Sequence, residues 1–352
     1  MQKRTEVRAL NVSSLSSPAL YAKCKAMNAS RLTKSQFGEM MSLNGLNELC
    51  VYLKTRTSYS SVFENTYSQS FNRARFEALI KKMVPIKEQS ILRYGALSGS
   101  GIDFYFALRR DVRIILSGVR HIDDRLFVDP EIAYLPQSVL NKVGVDANGL
   151  EKSKNLDELV SLLSGTPYRT VVENALKEGG YVALQNALHA YVFDESDKRF
   201  AKCLGTKEYA EVKELLSELS DIITLSGLYR IKKFYSDNPE MNKQVFYSHV
   251  TSIDEKTLES MRGAQNLKEY VTLLSHTKQA KLFEGMAGRD NVEKRVLYRA
   301  CEKRLAMSQN PVVCAICYDE LLRIECMDIS TVAESISYGL APETAQNLLI
   351  KE

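Results

Sequence analysis

Apolar residues recur at steps of three and four through most of the chain, and strict alternation of apolar and polar positions is scarce. Such spacing turns one stripe of each segment toward a core, so the sequence predicts an almost entirely helical protein. The clearest stripe is Leu156, Leu159, Val160, Leu162 and Leu163, within Leu156-Asp-Glu-Leu-Val-Ser-Leu-Leu-Ser-Gly-Thr-Pro-Tyr168. One copy of this stretch is Leu46-Asn-Glu-Leu-Cys-Val-Tyr-Leu, closing on Thr57-Ser-Tyr59, and another is Leu267-Lys-Glu-Tyr-Val-Thr-Leu-Leu-Ser-His-Thr277. The leading leucines stand 110 and 111 residues apart. Even spacing marks a unit used three times, and this period is too long for a solenoid, whose units run to roughly 20–50 residues. The expected organisation is therefore all-α, with three homologous helical modules at 1–122, 123–236 and 237–352. In each, the repeated stretch forms a short amphipathic helix, and in the middle copy Thr166 caps and Pro167 opens the next helix.

The pattern also predicts the neighbouring elements. In the first module short helices cover 19–29 and 34–43, and a long one runs from about Ser60 to Met83, ended by Pro85. The glycines of 92–101 suggest a flexible connection, followed by a helix over 102–117 with Gly118 just past its end. The second module follows the acidic, proline-containing turn 123–136. It has a long helix at about 167–191, broken at Gly179-Gly180, and a helix over 207–226 closed by Gly227. The third starts near Asn238-Pro239, with a helix over 290–307. Asn310 then caps and Pro311 opens a helix to about Ile324, and a last short helix follows Pro342. A second echo supports the repeat: Asp111 to Arg120 matches Asp221 to Arg230, and Asp328 to Tyr338 is the third copy.

Composition narrows the function. Hydrophobic residues make up 45% of the 352 positions, which suits a globular chain. With 47 basic against 43 acidic residues the formal charge is only +4, too weak a field to point to nucleic acid. No window approaches the ~20 apolar residues needed to span a bilayer, and the opening residues lack a signal-peptide core. The expectation is a soluble, cytoplasmic chain whose seven cysteines are reduced thiols.

The candidate chemistry is thin. Cys314 and Cys317 share a helix face, but Cys301 and Cys326 do not complete zinc spacing, so all four read as core thiols. Gly95, Gly99 and Gly101 lack both the Gly-Lys-Ser/Thr ending and the preceding strand of a phosphate loop. His121, His189, His249 and His276 are scattered, and no serine elbow is present. No catalytic residue, cofactor or metal is therefore expected. Arg109, Arg110, Arg113 and Arg120 concentrate charge on or beside one helix. They read either as a solvated face or as a contact for an acidic partner, which arginine's planar fork suits.

Three modules each carrying Leu-Leu-x-x-Thr-x-Tyr or a near match, in this order and spacing, resemble the C subunit of the V/A-type rotary ATPases, known as the d subunit in eukaryotes. The opening Tyr21-Ala-Lys-Cys-Lys-Ala-Met, Ser30-Arg-Leu-Thr and Phe37 is similar to that family's start. The Asn310-Pro311 helix with Glu320, Glu325 and Asp328 looks like its last segment. The third copy departs, with Thr277-Lys-Gln in place of Thr-x-Tyr. The resemblance implies a pseudo-threefold funnel without a catalytic site. It would sit peripherally on the cytoplasmic face of the membrane rotor ring, receive the central stalk, and pass torque for proton or sodium transport or for ATP synthesis. Its partners are then stalk and ring subunits, with Arg109, Arg110 and Arg113 as stalk contacts. The competing expectation is an unrelated all-helical interaction adaptor.

Overall fold

The computed structural model describes residues 17–63, 72–124, 132, 144–235, 238, 241 and 244–351, and no strand occurs among them. The helices, numbered in chain order, begin with α1 (17–29), α2 (Lys34–Met41), α3 (Leu46–Arg56), α4 (Arg73–Lys81), α5 (Met83–Ser98) and α6 (Ile102–Asp123). After α6 come α7 (Ala147–Lys152), α8 (Leu156–Leu162), α9 (Tyr168–Cys203) and α10 (Thr206–Phe234). The remainder are α11 (Glu255–Gly263), α12 (Leu267–Leu274), α13 (Val292–Met307), α14 (Pro311–Ser337) and α15 (Pro342–Leu348).

The chain forms two compact units, one built from residues up to Ser98 and from Cys301 onward, the other from most of the chain between Gly99 and Ala300. In the first, α14 is the hub, packed by α2, α3, α4, α5 and α15. Eighteen of its 27 residues are buried, so it is apolar on nearly every side, as a central helix must be. Its one deep cation, Arg323, is paired with Asp319 at 2.9 Å and with Glu88 of α5. Asn310 caps the start by accepting from the Val312 and Val313 amides, with Pro311 at the first turn as expected. In the second unit α6 packs on α7, α8 and α9, α9 on α10, and α10 on α12.

The repeated stretch is a helix in all three copies, and its residue types are explained by closely similar local bonds. The third residue of each, Glu48, Glu158 or Glu269, accepts the backbone N–H of Asn44, Lys154 or Gln265 at 3.1, 2.9 and 2.7 Å. These bonds tie the residue before each cap position to the helix's first turn. Asn155 and Asn266 cap two of the three, at 2.9 and 3.0 Å. At the far end Thr57, Thr166 and Thr277 donate to the carbonyls of Leu53, Leu163 and Leu274 at 2.6, 2.7 and 2.8 Å. Thr166 thus closes the preceding helix instead of capping the next, and Pro167 itself takes the cap position before α9.

Several boundaries move. Pro85 does not end a helix; it is buried in the first turn of α5, where its missing N–H has no partner to lose. The expected flexible connection is helical through Ser98, with Gly95 buried, and only Gly99 and Gly101, at φ 65° and 82°, break the chain. α6 runs through Gly118 and α10 through Gly227, so neither glycine ends its helix. At Gly118 a Cβ would meet the Leu150 carbonyl oxygen at 3.2 Å and Leu159 Cδ1 at 3.3 Å, so this glycine permits close helix packing. The break at Gly179-Gly180 is present inside α9, and Gly180, at φ 70° and ψ −150°, needs glycine. The long helix expected over 60–83 is a 3-10 turn at Ser60–Val62 and then α4, and 64–71 lies outside the described residues. Most of the turn 123–136 also lies outside them. α14 is continuous, so Asp328 to Tyr338 is its second half and no separate element.

Candidate functional site

Two features stand out from the helical scaffold: a basic face beside α6 and three buried carboxylates on the long helices α6, α10 and α14. α6 is strongly amphipathic, burying Tyr105, Phe106, Leu108, Val112, Ile115 and Val119 while its arginines stand at the margin. Arg109 and Arg113, one turn apart, are half-buried. Arg109 donates from Nη1 to the Tyr105 hydroxyl at 3.0 Å and lies over the same ring, 5.4 Å from its centroid. Both arginines act on His189 of α9, as does Lys294 of α13. Burial, then these cations, lower His189 to about 4, so it is neutral at physiological pH. Burial pushes Glu293 up, but Lys294 at 2.8 Å, Arg230 and His189 outweigh it and hold the carboxyl below its ordinary range.

Arg109 and Arg113 are therefore brought together with Lys294 and Arg230 into a face whose charges are mostly positive. Arg110 departs from them: its charge acts on the buried Asp111. Exposed Arg120 lies over the Tyr181 ring at 5.3 Å. His189, Arg230 and the adjacent pair Glu293 and Lys294 were not legible as a group, since they come from three helices far apart in the chain.

The carboxylates form a second pattern. Asp111 of α6, 4% exposed, accepts from the Gly144 amide at 3.1 Å to each oxygen and from the Tyr168 hydroxyl at 2.9 Å. Asp221 of α10, fully buried, accepts from the Ser252 amide at 3.2 Å, the Ser252 hydroxyl at 2.6 Å and the Gln279 side-chain amide at 2.7 Å. The Thr251 hydroxyl adds a further donor to Asp221. Glu325 of α14, 2% exposed, accepts from the Leu32 amide at 2.9 Å and the Tyr59 hydroxyl at 3.0 Å, with Arg31 Nε at 3.5 Å. Burial raises all three carboxyls, and their donors work against it. The expected third echo, Asp328, has a different role: it accepts from the Ile350 and Lys351 amides at 2.7 and 2.9 Å. Glu325, almost one turn earlier, takes the position of Asp111 and Asp221.

The cysteine pair is core. Cys314 and Cys317 are both fully buried, and Cys314 donates to the Ser308 carbonyl at 3.5 Å. Burial, with Cys314 beside it, pushes the Cys24 thiol up to about 12, the mark of an unreactive thiol. Among the described residues no group of His, Cys, Asp and Glu is placed to hold a metal ion.

Three buried carboxylates tie loops of the chain to its own long helices, and a group of mostly positive charges lies beside α6. No helix among the described residues is long and apolar enough to cross a membrane. The family model described as "ATP synthase (C/AC39) subunit" matches residues 20–348, and the chain belongs to that family of V/A-type ATPase subunits. No curated protein is a significant match to it.

Proposed function

We propose that this chain couples the central stalk of a V/A-type ATPase to the membrane rotor ring, transmitting torque without a catalytic step of its own. The family match over residues 20–348 carries this reading. In it, the three modules 1–122, 123–236 and 237–352 surround a pseudo-threefold axis as a funnel. The chain sits peripherally at the cytoplasmic side of the membrane, held there by the ring. A part under torque has to resist twisting, and tight helix packing with few voids provides that resistance. The buried hub α14 and the close approach at Gly118 support the role.

Arg109, Arg110 and Arg113 are the proposed stalk contacts. The first two of the cations around His189, Arg109 and Lys294, and their neighbour Arg113 suit an acidic stalk surface, since guanidinium pairs well with carboxylates. The test is capture of stalk and ring subunits by a tagged chain, in wild-type form and with Arg109→Glu, Arg110→Glu and Arg113→Glu combined. Wild type retains both sets of subunits, and the charge reversal weakens stalk capture while sparing the ring. Unchanged stalk affinity removes the arginine assignment. A wild-type chain that retains neither partner removes the coupling role.

A further inference from the structure

The three buried carboxylates share one construction. Each stands on a long helix and is held by the same two kinds of donor from another segment, a backbone amide preceding the repeated stretch and the side chain that follows it; the Thr251 and Ser252 hydroxyls add to these at Asp221, and Arg31 adds to them at Glu325. Tyr59, Tyr168 and Gln279 lie 12 or 13 residues after Leu46, Leu156 and Leu267. All three point at a carboxylate, Glu325, Asp111 and Asp221 respectively. The substitution of Gln279 for tyrosine therefore keeps the one property the position needs, a donor. The fit is close, since a Cβ at Gly144 would fall 2.6 Å from Asp111 Oδ2.

The order of these bonds along the chain is cyclic. Asp111 is held by residues 144 and 168, Asp221 by 252 and 279, and Glu325, near the end of the chain, by 32 and 59, near its start. With the modules bounded at 122 and 236, every carboxylate belongs to one module and its donors to the next. We propose that Asp111, Asp221 and Glu325 are equivalent joints that lock each long helix to the following module, and that torque passes through them. Tyr168, Gln279 and Tyr59 are then positioning residues for coupling. A buried carboxylate suits a joint because a partner lost there is not replaced by water, so the joint resists slipping.

This inference rests on the coupling role, and its test separates the two. Tyr59→Phe, Tyr168→Phe and Gln279→Met each remove one donor with little change of shape. In the isolated chain each is expected to speed hydrogen exchange about tenfold at its own clamp amide, Leu32, Gly144 or Ser252, and to leave the other two unchanged. Returned to ATPase depleted of this chain, each variant is expected to restore assembly and ATP hydrolysis but to lose ions transported per ATP when pumping against a gradient. Ratios equal to wild type in all three variants overturn the joints as the route of torque, and exchange that changes at one clamp only overturns their equivalence. If the wild-type chain itself fails to restore transport, the coupling role falls instead. Should Gln279→Met fold poorly, the two tyrosine variants, which remove a single oxygen, still decide the question.

Discussion

Tyr168→Phe isolates one bond of the account. The hydroxyl donates to Asp111 Oδ2 at 2.9 Å, and the two residues are 2% and 4% exposed, so water does not replace it. A hydrogen bond to a charged acceptor contributes about 1.5–3 kcal/mol, and once the hydroxyl is gone the Gly144 amide is the one hydrogen-bond donor left to Asp111 among the described residues, with the Arg110 charge nearby. The expected loss is about 2 kcal/mol, read in urea as a lower midpoint with an unchanged slope. The loss is also pH-dependent. Burial raises Asp111, so on acidification it takes up a proton in the folded state earlier than in the unfolded chain, and the acceptor becomes neutral. Below that pKa the variant is expected to cost only about 1 kcal/mol. Tyr235→Phe, at a residue 48% exposed, serves as the control and is expected to change little. A loss equal to the control, or one that does not shrink in acid, refutes the reasoning.

Gly118→Ala is expected to destabilise by about 1–3 kcal/mol, because the new methyl would lie 3.2 Å from the Leu150 carbonyl oxygen and 3.3 Å from Leu159 Cδ1, and the first of these is backbone, which shifts less readily than the tip of a side chain. Gly227→Ala, also inside a helix, is expected to stabilise by up to about 1 kcal/mol, since its nearest neighbour is Val245 Cγ1 at 3.9 Å; thermal melts of the pair check both signs. His189, ordinarily at 6.5, is lowered to about 4 in the fold, so the unfolded chain binds its proton first. Stability present above pH 6.5 is then lost as pH falls toward 4, by about 3 kcal/mol at most, and His189→Gln is expected to flatten that part of the urea midpoint-versus-pH curve.

Local signals carried much of the fold. The three-and-four spacing, the Gly179-Gly180 break and the Asn310-Pro311 start each act within a few residues, and the chain shows all of them. Gly118 and Gly227 misled because a glycine inside a helix looks the same in sequence as one that ends it; Gly118 is there for close packing, whereas Gly227 has room beside it. What separates the cases is Leu150 and Leu159 against Gly118, far along the chain. Pro85 misled for a similar reason, since the first turn of a new helix tolerates proline as well as the end of an old one does.

The repeated stretch and the Asp111–Asp221 echo were both legible, but not that one grips the other. The gripping pairs lie 57, 58 and 266 residues apart. The third carboxylate was sought by residue type at Asp328, whereas helix phase and the extra methylene of glutamate put Glu325 in reach of Tyr59. The basic face was half visible: one helix supplies Arg109 and Arg113, while His189, Arg230 and Lys294 arrive from three others.

The coupling role is tested most directly in ATPase assembled with and without this chain, measuring ATP hydrolysis and ATP-driven ion uptake together in sealed vesicles. The expected result is hydrolysis that persists without the chain while ion uptake is abolished, and uptake that returns when the chain is added back. Ion uptake at the full rate in its absence would contradict the account.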